Sequence, residues 1–161
     1  MQKIGTCLWF DDQALEAAEF YTSVIKNSRI TEVVPVIVQA PSGPPPGGVA
    51  YVVFELEGQE YMALNGGPLF GFTPAVSIVV NCADQAEVDD VWAKLTADGG
   101  QEVQCGWLTD KYGLSWQIVP EELYELVNSS SDLEAAKRAT EEMLGQVKLD
   151  IAKVRRAYHG G

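Results

Sequence analysis

Apolar and polar positions along this chain alternate in two rhythms, and the order of the rhythms repeats. Ile4–Phe10 is an apolar run that stops at Asp11-Asp12 and reads as a strand. From there Ala14, Ala17, Ala18, Tyr21 and Ile25 recur at helical spacing, with Asp12 placed as the cap. Arg29–Gln39 is rich in valine and isoleucine and reads as strand. The segment APSGPPPGG, residues 40–48, cannot hold regular structure, because proline removes backbone donors, and it reads as a hairpin loop. Val49–Glu57 is the next strand; Gly58-Gln59 then turns the chain into Glu60–Leu64, which closes at Asn65-Gly66-Gly67-Pro68.

The pattern then restarts. Ala75–Asn81 reads as a strand ended by Asp84, and Val88, Val91, Trp92 and Leu95 follow at i, i+3, i+4 and i+7, one face of a helix. Gly99-Gly100 ends that helix, and Gln101–Leu108 is a second strand region. In CGWLTDKYGLSWQIVP, residues 105–120, Asp110 and Gly113 punctuate a turn before the strand Leu114–Val119. Setting Gly58 on Gly113 brings Tyr61 onto Trp116 and Met62 onto Gln117; DQALEAAEF at 12–20 beside DQAEVDDVW at 84–92 brings Phe20 onto Trp92. The reading is an α+β chain of two tandem βαβββ modules, about 1–68 and 69–125, followed by a helical tail, 126–161. In the tail Leu133, Ala136, Thr140, Met143 and Val147 line one side of a helix, and Ile151, Val154 and Tyr158 line a second. Such stripes predict packing on the sheet or on a second subunit.

Composition narrows the function classes. The 161 residues suit one compact domain with an appendage, and a hydrophobic fraction of 47% supplies a core. A net charge of −12 argues against nucleic acid and anionic membrane surfaces as partners, since phosphates must be neutralised by Lys and Arg. Cys7, Cys82 and Cys105 form no CxxC pair, so a zinc ribbon or redox dithiol is not indicated, and three unpaired cysteines fit a reducing compartment. The opening MQKIGTCLWFDD has no long apolar core of a secretion signal, and no apolar run approaches the ~20 residues that span a bilayer. The expected location is the cytoplasm.

Several stretches together, CLWFDDQALEAAEFY, NSRI, ALNGGP, QCGWLTDKYGLSWQIVP and KLDIAKVRRAY, resemble the PhnB-like branch of the vicinal oxygen chelate superfamily, which also holds glyoxalase I, extradiol dioxygenases and bleomycin-resistance proteins. That branch carries the label 3-demethylubiquinone-9 3-methyltransferase domain. The resemblance implies two βαβββ modules whose sheets curl into a cup, pairing as a homodimer, with metal ligands at matched strand positions. Carried onto this chain, those positions are Thr6, its counterpart Ser77 or Ile78 (one residue apart and hence on opposite strand faces), Met62 and Gln117. Zinc and iron need imidazole, thiolate or carboxylate donors, so this set implies no metal and no cofactor. Gln117 stands where the metal-binding branches carry Glu. The only histidine, His159, lies near the end of the chain. The label also implies S-adenosylmethionine, yet Gly66-Gly67 is followed by Pro68 and an aromatic loop, and Gly99-Gly100 ends a helix, so neither makes a glycine fingerprint.

The candidate site follows from one amide. Gln117 sits inside an apolar run, and burying an unpartnered amide costs roughly 1–3 kcal/mol, so it must face a partner, a ligand or water. Trp9, Tyr61, Trp107 and Trp116 lie on or beside the strands of the implied cup; for any one of them a place in the core is the plainer reading. Strand alternation puts Trp116 and Gln117 on opposite faces, so if Gln117 points into the cup, Trp116 and Tyr61 pack against helices. The ligand-contacting set is therefore Thr6, Asn65, Ser77, Trp107 and Gln117, with Asn65 equally suited to holding its own loop. Cys105 has no histidine to act as its base, and Asp11, Asp12 and Asp110 also serve as plain turn or cap residues. No catalytic group is assigned. The expected function is binding of a small organic molecule in a metal-free cup. The alternatives are the methyl transfer of the label, a glyoxalase-like lyase or dioxygenase with a nonstandard metal site, or a dimeric interaction protein whose cup is filled by side chains.

Overall fold

The computed structural model describes residues 2–161 and divides into two compact units, one up to Phe72 and one from Thr73 to Gly161. The first unit holds β1 (Thr6–Phe10), α1 (Ala14–Val24), β2 (Ser28–Pro35), β3 (Val49–Leu56) and β4 (Gln59–Asn65). Its sheet runs in the order β1-β4-β3-β2, with β1 parallel to β4 and the other pairs antiparallel. This is one βαβββ module. The helix lays Ala14, Ala17, Ala18, Tyr21 and Val24 inward, the alanines allowing close approach to the sheet. Opposite them Leu8, Phe10, Val52, Phe54 and Ala63 are buried. The Tyr21 ring meets Phe54 at 6.2 Å between centroids, and Phe54 stacks on Tyr61 at 5.5 Å.

Two local expectations for this unit are corrected. Asp12 is not the cap of α1: Gln13 holds that position without a side-chain bond, and the Ala14 N–H instead donates to Asn65 Oδ1 at 2.8 Å. The helix start is satisfied from the end of β4. The strand over Arg29–Gln39 stops at Pro35, whose ring removes the ladder donor, and Ile37 and Val38 beyond it are 84% and 83% exposed. The Gly66-Gly67 turn closes on Trp9. A Cβ at Gly66 would lie 2.2 Å from the indole, and the indole N–H donates to the Gly67 carbonyl at 2.9 Å.

The second unit repeats the connectivity with β5 (Ser77–Cys82), α2 (Gln85–Leu95), a 3-10 turn (Ala97–Gly99), β6 (Gln101–Glu102), β7 (Trp107–Thr109) and β8 (Ser115–Pro120). Its sheet order is β5-β8-β7-β6, again with the first strand parallel to the last. The strand region Gln101–Leu108 is broken into β6 and β7 by a turn at which Cys105 and Gly106 take positive φ. At α2 the cap is local: Asp84 accepts from the Glu87 N–H at 2.9 Å, and the Glu87 carboxylate accepts from the N–H of Ala83, the residue before the cap, at 2.8 Å. The buried faces of α1 and α2 coincide when Tyr21, rather than Phe20, is matched to Trp92, because Tyr21 is wholly buried and Phe20 is not.

The chain continues through α3 (Glu122–Val127), α4 (Leu133–Gly145) and α5 (Ile151–His159), which belong to the second unit. Val119 of β8 packs with Leu123, Leu126, Ala139, Leu149, Ile151 and Val154 in one apolar cluster. The buried residues of α4 are Ala135, Ala136 and Ala139, with Met143 packed against the same cluster; of the expected stripe Ala136 and Met143 face inward, whereas Leu133 is exposed and Val147 lies past the end of the helix. Gln85 on α2 ties the tail down, its amide donating to the Leu149 carbonyl at 2.9 Å and accepting from the Ile151 N–H at 3.0 Å. Among the described residues no helix is long and apolar enough to cross a membrane.

Candidate functional site

The second sheet has a helix-covered face and an open face, and the period of a strand sorts its residues between them. Leu108, Trp116 and Ile118 are fully buried on the helix side. Gln117 points the other way. Its register partners are Val79 on β5 and Trp107 on β7, so these three share the open face. Gln117 and Trp107 are half-buried there, and Val79 is 45% exposed. Ser77 joins them: the Gln117 Nε2 donates to Ser77 Oγ at 2.9 Å. The pair Ser77 or Ile78 thus separates cleanly, since Ile78 pairs in register with Trp116 on the helix side.

The turn that presents this strand is built by Asp110, which is 2% exposed. Its Oδ1 accepts from the Tyr112 and Leu114 N–H groups at 2.9 and 3.1 Å, and its Oδ2 accepts from the Trp116 indole at 2.9 Å. Asp110 is therefore committed to the fold and to fixing Trp116. With Trp116 held behind the sheet, Gln117 is fixed in front of it.

In the first unit Thr6 and Met62 point to opposite faces. Thr6 pairs with Tyr61 on the helix side, whereas Met62 pairs with Cys7. Met62 and Gln117 are the matched positions after Gly58 and Gly113, and their partners are Cys7 and Val79, so Thr6 corresponds to Ile78 and not to Ser77. Around the start of β1 the side chains of Thr6, Cys7, Tyr61 and Met62 nonetheless border one pocket of about 240 Å³. Partial burial pushes the Cys7 thiol and the Tyr61 phenol up from their ordinary pKa values, which disfavours thiolate and phenolate here. Cys7 was not singled out by sequence reasoning; the register with Met62 is the signal that finds it. Asn65 is 7% exposed and tied into the module, its Oδ1 capping α1 and its Nδ2 donating to the Val49 carbonyl at 2.9 Å.

The sequence-derived set thus divides. Ser77, Trp107 and Gln117 come together on one face of the second unit. Thr6 borders the pocket of the first unit, and Asn65 braces that unit's core.

The family-matched positions, Thr6, Ile78, Met62 and Gln117, offer a hydroxyl, an alkyl group, a thioether and an amide. That donor set does not fit zinc or iron. Among the described residues no three His, Cys, Asp or Glu side chains gather to hold a metal ion. His159 stacks edge-on against Tyr158 in the last helix. Nor do the glycines fit a nucleotide cradle. Gly66-Gly67 is packed around Trp9, and the next element after β4 is the strand β5 rather than a helix.

The chain matches the family model described as 3-demethylubiquinone-9 3-methyltransferase over residues 2–119. It is 37% identical to a solved Bacillus cereus PhnB protein that carries the same designation, over 74% of this chain and 99% of that one, with a TM-score of 0.66. A solved Pseudomonas aeruginosa protein shares the fold at 19% identity, over 75% of this chain and 98% of that one, with a TM-score of 0.60. No curated protein matches the chain. Two modules of one connectivity, a match over most of the chain and a close solved relative lead to one assignment: the chain belongs to the 3-demethylubiquinone-9 3-methyltransferase (PhnB-like) family of the vicinal oxygen chelate fold.

Proposed function

We propose that the protein binds a small planar organic molecule, of quinone-like chemistry, on the open face of its second sheet without using a metal. The observation that carries this reading is the half-buried Gln117 amide, bonded to Ser77 Oγ at 2.9 Å and set beside Trp107 on the face turned away from the core. An indole supplies a stacking surface, and the amide and hydroxyl keep hydrogen-bonding capacity beyond the one bond between them. Apolar area with a few placed polar groups is the usual composition of a small-molecule site. The proposal includes a homodimer, which the family resemblance implies, and a cytoplasmic setting, which the cysteine usage favours.

The methyl transfer named by the family designation finds less support, because neither glycine pair has the surroundings of an S-adenosylmethionine cradle. The test is titration of the intact protein with a panel of benzoquinones and with S-adenosylmethionine, followed by tryptophan fluorescence. Gln117→Leu should weaken quinone binding about tenfold, roughly the 1.4 kcal/mol of one good hydrogen bond, with the unfolding midpoint unchanged. A large loss of stability with unaltered binding would make Gln117 a structural residue and remove the site.

A further inference from the structure

The family match ends at residue 119, inside the second unit, which runs on through α3, α4 and α5. The added segment reaches back toward the candidate site at the end of β5, where the Tyr124 hydroxyl donates to Asn81 Oδ1 at 3.0 Å, and more closely at the turn between β6 and β7. That turn carries two consecutive left-handed residues, Cys105 (φ 57°) and Gly106 (φ 79°). The conformation is disfavoured for a residue with a Cβ, so the cysteine must be held in it. The turn closes on its own bond, from the Trp107 N–H to the Gln104 carbonyl at 3.1 Å, and the tail adds a second set of contacts at the two left-handed residues. The Cys105 N–H donates to the Gln146 carbonyl at 2.8 Å, and the Gly106 N–H donates to the Val147 carbonyl at 2.7 Å. The Cys105 thiol reaches the Leu144 carbonyl at 3.6 Å.

Gly106 is pressed from both sides. A Cβ there would stand 2.8 Å from Leu149 Cδ1 and 3.0 Å from the Ile118 carbonyl oxygen. The Gly106 carbonyl in turn accepts from the Ile118 N–H at 2.8 Å. The turn is therefore clamped between the tail and β8. The residues that leave the clamp on the two strands are Trp107 and Gln117, which are register partners. The tail segment is itself fixed to α2, by the Gln85 amide at Leu149 and Ile151 and by Lys148 against Asp89.

We infer that the segment Gly145–Leu149 is a positioning element of the candidate site: it sets the β6–β7 turn and, through that turn, holds Trp107 beside Gln117. Its consequence for ligand binding rests on the reading of Trp107 and Gln117 proposed above. In this chain a ligand stacking on Trp107 meets a fixed ring only while the tail is docked. The tail is thus part of the binding device rather than an appendage to it.

The test is fluorine NMR of the full-length protein labelled with fluorotryptophan, the Trp107 signal being assigned with Trp107→Phe. Gln85→Leu removes the two Gln85 bonds between α2 and the tail without opening the apolar cluster, leaving Lys148–Asp89 as the remaining polar tie. In that variant the Trp107 signal should shift or broaden while the Trp9 signal, from the other unit, stays in place. Benzoquinone binding should weaken about threefold, as the fraction of chains with Trp107 in position falls. Leu149→Ala should act in the same direction, and Leu149→Met, which refills the space beside Gly106, should restore the wild-type signal. An unchanged Trp107 signal in folded Gln85→Leu would overturn the inference, whether or not Leu149→Ala folds. A displaced Trp107 signal with equal quinone binding in wild type, Gln85→Leu and Gln117→Leu would support the positioning role and overturn the binding reading beneath it.

Discussion

Asp110 and Gln117 are polar residues set in the same apolar stretch, seven positions apart in CGWLTDKYGLSWQIVP, and the fold uses them differently. Asp110 is buried and accepts three hydrogen bonds, one of them from the fully buried Trp116 indole. Removing its carboxylate strands that indole N–H and frees the turn. Asp110→Ala should therefore cost about 3 kcal/mol in a denaturant melt, and a midpoint equal to wild type would contradict the role given to it. Gln117 makes one bond on a half-buried face, so its loss should appear in binding rather than in stability. The position of Gln117 was legible in the sequence because strand alternation is local and Trp116 is its neighbour. Asn65 was not legible in the same way. Its amide bonds Ala14 and Val49, partners 51 and 16 residues away, and nothing in NGGP announces them.

Among the elements, the two module helices show how one local signal can have two outcomes. Both are preceded by Asp-Gln-Ala, at 12–14 and 84–86. Asp84 caps α2 through the Glu87 N–H, and Glu87 in turn accepts from the Ala83 N–H. Asp12 makes no such bond, because Asn65 reaches the Ala14 N–H first. Asp84→Ala should cost about 1 kcal/mol and Asp12→Ala less than about half of that, measured as paired shifts in urea unfolding. Equal costs would mean that Asp12 caps α1 after all. The other displaced elements have similar causes. Pro35 ends β2 early by removing a ladder donor, and the break between β6 and β7 depends on tail carbonyls some 40 residues on. Hydrophobic period found the helices and strand regions of both modules and the last two helices, but not α3 or the break between β6 and β7. Beyond α3, its limits fell where a distant partner or a single proline intervened.

On the scale of the whole molecule, the repeated connectivity was written in matched landmarks, Gly58 with Gly113 and Met62 with Gln117, and both pairs hold equivalent places in the two sheets. The attachment of the tail to the second unit was less legible, since its apolar stripes suited either the sheet or a second subunit; Gln85 and the cluster around Val119 account for the choice. Lys148 with Asp89 of α2 reinforces it, and Arg155 with Glu122 joins α5 to α3 within the tail. Hydrogen bonds from Lys148 and Arg155 hold the Asp89 and Glu122 carboxyls below their usual range, so what these carboxylates contribute is present at neutral pH and is lost as they are protonated in acid. Membership of the family and the residues at its ligand positions point in different directions, the first toward a named activity and the second away from metal chemistry. Native mass spectrometry of the purified full-length protein, with metal analysis of the same sample, decides between them most directly. The account predicts chains that carry no stoichiometric divalent metal and that retain, or take up from a benzoquinone panel, one small organic molecule. One divalent metal per chain, with organic-ligand binding abolished when a chelator removes it, would contradict the account and return the site to metal-dependent chemistry.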